Sequence, residues 1–198
     1  NYDGRYLLTA TMRADGTSKF AAGNHWGYFP SVAVGWNIAK EAFMADQKLF
    51  NNLKIRGSYG KVGNDQIGSN TYLNIATINA PYFFGQTPIQ NYGISFTQLP
   101  DPNVKWETTK EYDLGVDFTL LNNRLSGEVD YYHKEVTNAL ININIPGTLP
   151  DADGRYTTNA ASFLNKGVEV SLNWKESISK QVNYNIGGNV SFNTNKII

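Results

Sequence analysis

The sequence predicts an all-β fold, an antiparallel meander of about seven long strands. Two observations carry this. Residues 112–120 place Tyr112, Leu114, Val116, Phe118 and Leu120 at every second position, with Asp113, Gly115, Asp117 and Thr119 between them. A strand turns successive side chains to opposite faces, so this segment has one apolar face and one wet face. After Asn122-Asn123 the alternation resumes: Leu125, Val129 and Tyr131 share one parity, and Ser126, Glu128, Asp130 and Lys134 share the other. Asn tolerates positive φ, so Asn-Asn suits a two-residue hairpin turn. Pairing Leu121 with Arg124 then sets Val116 opposite Val129, Leu114 opposite Tyr131 and Glu111 opposite Lys134. Both apolar sets fall on one side, which a one-residue slip would prevent. Asp117 falls opposite Glu128. Like charges across a ladder cost free energy, so that face is expected to be solvated or to hold a cation.

The predicted strands cover residues 6–13, 28–38, 53–62, 109–120, 124–137, 163–174 and 182–193. The first is the weakest, with Thr9, Thr11 and Arg13 on its polar side. In the second, Val32, Val34, Trp36 and Ile38 alternate with Ser31, Ala33, Gly35 and Asn37. The third sets Leu53, Ile55 and Tyr59 against Lys54, Arg56 and Ser58. The fourth and fifth form the hairpin above, and Leu140, Ile141, Ile143 and Ile145 are expected to extend the fifth over 138–145. The sixth alternates Val168, Val170, Leu172 and Trp174 with Glu169, Ser171 and Asn173. The seventh alternates Val182, Tyr184, Ile186, Val190 and Phe192 with Asn and Ser. Connections 14–27, 63–108 and 146–162 are long or polar, whereas 121–123 and 175–181 are short. Residues 39–52 are intermediate, and 40–45 are expected to make a helical turn. Segment 63–108 is too long for a passive connection and is expected to be a functional loop with local structure.

Alternation alone fits a soluble sandwich as well as a membrane barrel. Strand length leans to the barrel, because about 9–11 residues cross a bilayer at a tilt. Aromatics near strand ends, such as Tyr28, Trp36, Tyr59, Tyr112, Trp174 and Phe192, fit interfacial girdles. No run approaches about 18 consecutive apolar residues, which excludes a transmembrane helix but not a transmembrane barrel. The 17 basic and 17 acidic residues cancel, leaving no global electrostatic basis for binding nucleic acid. The absence of cysteine excludes disulfide and thiol chemistry. One domain is expected over 1–198, and both ends read as cut from a longer polypeptide.

Four segments carry a family resemblance: DGTSKFAAGNHWGYFPSVAVGW at 15–36, DPNVKWETTKE at 101–111, NNRLSGEVDYYHK at 122–134 and NKGVEVSLN at 165–173. In this order, along nearly the whole chain, they closely resemble the C-terminal barrel half of the SusC/RagA family of TonB-linked outer-membrane transporters. The resemblance implies a barrel of about 22 strands, with a plug domain, a TonB box and a final strand that lie outside this sequence. It implies TonB-energised import of large nutrients, glycans or peptides, in the outer membrane of Bacteroidota-type bacteria. It also implies a SusD-like surface lipoprotein as partner.

Lys54, Arg56, Asp113, Asp117, Glu128, Asp130 and Glu169 are the expected lumen lining. Trp26, Tyr82, Phe83, Phe84 and Trp106 lie in or beside long loops and are the candidate contacts for ligand or partner, with simple packing as the plain alternative. Carboxylates spread along strands fit a wet wall better than the gathered pair of a glycosidase. His25 and His133 make no metal spacing with a second His or Cys, and His133 falls on the apolar parity near a strand end. Gly57, Gly60 and Gly63 close a strand rather than open a helix, so close packing is expected there, not a phosphate loop. Asp151-Ala-Asp153-Gly154 lacks the closing Glu of a calcium loop and reads as a turn. No catalytic residue, metal or cofactor is assigned. The two rival readings are a soluble carbohydrate-binding β-sandwich and a glycoside hydrolase using the hairpin carboxylates.

Overall fold

A computed structural model describes residues 1–96, 99–144, 155–179 and 181–198. Nine strands form: β1 (Tyr6–Gly16), β2 (Trp26–Asn37), β3 (Phe50–Asn64), β4 (Ala76–Phe84), β5 (Ile89–Phe96), β6 (Glu107–Leu120), β7 (Leu125–Asn144), β8 (Arg155–Ser177) and β9 (Asn183–Ile197). Seven make one antiparallel sheet in the order β1-β2-β3-β6-β7-β8-β9, a meander in which every neighbour follows its predecessor except across the β4–β5 hairpin. That hairpin is the local structure expected inside 63–108.

The predicted register is the observed one. Val116 pairs with Val129, Leu114 with Tyr131, Glu111 with Lys134 and Asp117 with Glu128. The ladder closes at Leu120 and Leu125, and Arg124 N donates to Leu121 O at 3.3 Å. Asn122 and Asn123 have φ 56° and 66°, the left-handed values that a tight hairpin of this hand requires. Leu121 also takes φ 56°, which the sequence did not signal. Its N–H instead donates to Leu49 O at 3.4 Å, tying the turn to the end of β3.

One strand outruns expectation: β8 runs over 23 residues, Arg155–Ser177, against the expected 163–174, whereas the 20 residues of β7 fall within the expected fifth strand and its continuation. At ~3.3 Å per residue β7 is about 65 Å long, twice the hydrocarbon thickness of a bilayer. Residues 155–162 fall in the connection 146–162, which its polar residues mark as loop, yet they open β8. The expected continuation of the fifth strand is present as far as Asn144; Ile145 and Asp151–Gly154 lie outside the described residues. The helical turn expected at 40–45 is present as two 3₁₀ turns, Ile38–Lys40 and Ala42–Met44.

The main sheet has no second layer among the described residues. Its apolar parity stays exposed: Leu114 is 61% and Ile186 67% accessible. The total accessible surface is 13438 Å². A compact monomer of this mass exposes roughly 9,300 Å². The excess is that of an open wall, and it removes the soluble sandwich, whose two inner faces would have to cover one another. The only buried apolar side chains among the described residues are Phe20, Phe29, Val104 and Ala139. They gather at one end, the rim of the long connections.

Candidate functional site

The polar face of the sheet converges on Arg56. Its strand partner is Gly115, and the partner of Gly115 on the far side is Asp130. Gly115 has no side chain, so the guanidinium lies across it and reaches β7. A Cβ at Gly115 would stand 2.6 Å from Arg56 Cζ and would also strike Asp130 Oδ1. Arg56 Nη2 donates to Asp130 Oδ2 at 2.7 Å, Nε to Asp117 Oδ1 at 3.0 Å, and Nη1 to Asp113 Oδ1 at 3.4 Å. Glu128 Oε2 lies 4.0 Å from Nη2, and Lys54 Nζ lies 3.7 Å from Asp117 Oδ2. The cation that the Asp117–Glu128 pairing called for is therefore a side chain of β3. Glu169 pairs with Asp130 across the next ladder. With Glu128, Asp130 and the β9 residues Asn189 and Ser191 it lines an acidic hollow of about 300 Å³. Six of the seven predicted lining residues thus form one ion-pair network over three strands, and the seventh stands beside it.

The opposite face carries no charge across the middle of the sheet. Its two ends are aromatic. At the short-turn end Tyr6 stacks on Trp36 with ring centroids 6.5 Å apart. Tyr6 Oη and Trp36 Nε1 both donate to Glu41 Oε1, at 2.7 and 2.9 Å, so the apolar rings carry anchored polar tips. These two bonds, in that order, hold the Glu41 carboxyl below its ordinary value, and Arg5 adds to them. At the other end Tyr59, Tyr112 and His133 are successive ladder partners, with centroid distances of 4.9 and 6.1 Å. His133 stands in that row, as its parity predicts. Along β6 the apolar row from Tyr112 to Leu120 spans about 27 Å at ~3.4 Å per residue, which matches the apolar band of an outer-membrane barrel.

The loop residues divide into two groups. Tyr82, Phe83 and Phe84 lie on β4, and all three are exposed; Tyr82 and Phe84 meet edge-on at 5.3 Å. Trp26 opens β2, is 64% exposed and covers Gly16. Trp106, by contrast, packs edge-on against Phe20 and Phe29 at 5.5 and 5.4 Å. The β2–β3 ladder ends at Ser31↔Gly60, and beyond it the Phe29 ring lies over Gly27 and Gly63. Of the three glycines expected to pack closely, Gly63 does so under Phe29 and Gly57 beside Leu114, whereas a Cβ at Gly60 would meet only Ser31 Cβ at 3.8 Å.

The DPNVKW segment has a structural account that the sequence did not supply. Asp101 Oδ1 accepts from Asn103 N at 2.9 Å, and Oδ2 accepts from Thr158 Oγ1 at 2.6 Å. Asn159 brackets Lys105 with two bonds, accepting from its N–H at 2.8 Å and donating to its carbonyl at 2.9 Å. Val104 is fully buried. The segment is thereby pinned to the part of β8 that projects beyond the apolar band.

A single twisted sheet with one hydrocarbon-compatible face, one ion-paired face and long connections on one rim is a piece of transmembrane β-barrel wall. The model of the TonB-dependent receptor-like β-barrel family matches residues 1–197, and the chain belongs to that family, whose members sit in the outer membrane. The chain is 37% identical to the TonB-dependent receptor SusC of Bacteroides thetaiotaomicron over 98% of its own length and 19% of that protein's. It is 34% identical to TonB-dependent receptor P3 of Formosa agariphila over its full length, again 19% of the relative. Among solved structures, the RagAB peptide transporter superposes with a TM-score of 0.81 at 26% identity, covering 98% of this chain and 21% of the other. The open-open state of the RagAB peptide importer gives 0.82 at 26% identity, covering 100% and 21%. The chain therefore spans about a fifth of the proteins it matches. Those relatives are receptors and transporters rather than enzymes.

Proposed function

We propose that this chain is a segment of the barrel wall of an outer-membrane importer of the SusC/RagA kind. The whole protein takes up glycans or peptides with energy relayed by TonB, working with a SusD-like surface lipoprotein. The supporting observation is the division of one sheet between a face with no charge across its middle and the Arg56 network. The charged face lines the water-filled lumen, and Lys54, Arg56, Asp113, Asp117, Glu128, Asp130 and Glu169 are its wall. The walls position and pass cargo and carry out no covalent chemistry. Exposed Tyr82, Phe83 and Phe84, on the hairpin of the longest connection, suit contacts with cargo or with the lipoprotein. The plug, the TonB box and the remaining strands are supplied by the rest of the polypeptide.

The test uses the full-length protein in its own host. Uptake of labelled oligosaccharide and oligopeptide pools is measured with TonB present and with TonB deleted, and the lipoprotein is sought by affinity purification through the barrel. TonB-dependent uptake of one pool and co-purification of a surface lipoprotein are expected. Uptake of both pools unchanged by TonB loss would reject the reading. Hydrolysis of either pool that disappears in Asp117→Asn and Glu128→Gln variants would favour the glycosidase instead.

A further inference from the structure

We propose that the outward face of this wall binds the phosphorylated headgroups of lipids in the outer leaflet, through lysines placed just beyond the aromatic row. The inference rests on the barrel-wall reading above, with the long connections on the outer side as outer-membrane barrels place them, and is independent of any cargo. The ladders place Tyr59, Tyr112, His133, Lys166 and Thr194 in one row on the outward face. The next outward row reads Lys61, Lys110, Glu135, Leu164 and Lys196. Beyond these two rows, toward the short-turn end, that face has no charged residue on β3, β6 or β7, and none on β8 or β9 until Glu176. The cations are thus confined to two adjacent rows, where hydrocarbon ends and headgroups begin.

Three features point to an anion rather than to a merely solvated rim. Lys61 and Lys110 face each other directly across the β3–β6 ladder, a like-charge pair that costs free energy unless a counter-charge sits between them. Among the described residues no carboxylate lies within 4.0 Å of Lys61, Lys110, Lys166 or Lys196, although Glu135 is the ladder partner of Lys110. Beside this pair is a hollow of about 300 Å³ lined by Lys61 and Lys105, by Trp26, Tyr28 and Trp106, and by polar Thr108 and Asn138. Two ammonium groups beside hydroxyl and amide donors suit a phosphate. The aromatic rings suit the carbon skeleton that carries it. A basic rim beside a membrane attracts anionic headgroups in the same way in other settings, at about fivefold per lysine.

The experiment uses the full-length protein in detergent and reads bound lipid by native mass spectrometry. The probes are a bisphosphorylated glycolipid, the same lipid with its phosphates removed, and inorganic phosphate as competitor. The phosphorylated lipid is expected to bind at least tenfold more tightly than the dephosphorylated one. Combining Lys61→Gln, Lys105→Gln and Lys110→Gln is expected to weaken it by about a hundredfold, while the three Lys→Arg changes retain it. Equal binding of the two lipids overturns the proposal, as does full retention in the Gln variant. Displacement by inorganic phosphate at concentrations equal to the lipid would make the ligand a free anion and overturn the lipid assignment. Should the Gln variant fail to assemble, the wild-type comparison of the two lipids decides. Loss of transport without loss of lipid selectivity would bear on the cargo reading alone.

Discussion

Replacing Arg56 by Gln should destabilise the barrel by about 3 kcal/mol. The side chain holds three carboxylates, and its own side chain is 30% exposed, so the network is neither a surface pair nor a dry one. Exposed pairs contribute about 0.2–1 kcal/mol, and stripping one partner from a buried pair costs about 3–5. Three charge-assisted bonds at about 1 kcal/mol each lie between these limits. The losses should be unequal. Asp130, 16% exposed and 2.6 Å away, has no second cation among the described residues, whereas Asp117 keeps Lys54 at 3.7 Å. A double-mutant cycle should therefore give Arg56→Gln about 1–2 kcal/mol of coupling with Asp130→Asn and less with Asp117→Asn. Gly115→Ala removes no charge, yet a methyl there occupies the guanidinium's path; it should reproduce the Asp130 part of the loss. The assay is urea unfolding of the full-length protein in detergent, followed by the heat-dependent mobility shift of folded barrels. Changes below about 0.5 kcal/mol for both Arg56→Gln and Gly115→Ala would refute the bridging role.

Other outcomes follow from the same geometry. Phe29→Ala should cost about 3 kcal/mol and open residues 17–25 and 99–106 to limited proteolysis, because it removes the ring on which Trp106 rests. Asp101→Ala should loosen the same rim more mildly, by about 1–2 kcal/mol, and speed hydrogen exchange at Asn103 and Val104. Glu41, whose folded value lies below its ordinary 4.5, contributes stability that is present above that pH and is lost as pH falls through the folded value. Glu41→Gln should flatten this acid limb, measured as unfolding midpoint against pH.

The sequence revealed what the bilayer imposes. Where one face meets hydrocarbon, apolar residues must recur every second position, so the register of β6 and β7 and the shared face of Asp113, Asp117, Glu128 and Asp130 are readable from parity; Lys61, Lys110, Lys166 and Lys196, which interrupt the apolar parity near its end, carry no such signal. Where the wall leaves the membrane that constraint ends. The extension of β8 and the β4–β5 hairpin carry no such period, and the sequence marks them as loop or only as local structure, whereas the apolar residues of 138–144 mark the extension of β7. The Arg56–Asp130 bond required the register between β3 and β6, which are separated by the longest connection. One signal was present: Gly115, standing between Asp113 and Asp117, leaves a gap in the charged face that a long cation from a neighbouring strand can cross. Docking of Asp101 on Thr158 had no local trace, since the partners are 57 positions apart.

A barrel wall is defined by which face of its sheet touches lipid. The chain has no cysteine, so single cysteines at Leu114, Val129 and Val190 on one parity and at Asp117, Ser171 and Asn189 on the other can be introduced into a cysteine-free full-length protein and labelled with a fluorophore in reconstituted bilayers. Quenching by lipid-borne bromine at the first three, and by water-soluble iodide at the second three, is the predicted result. Iodide quenching at Leu114, Val129 and Val190 without bromine quenching would contradict it.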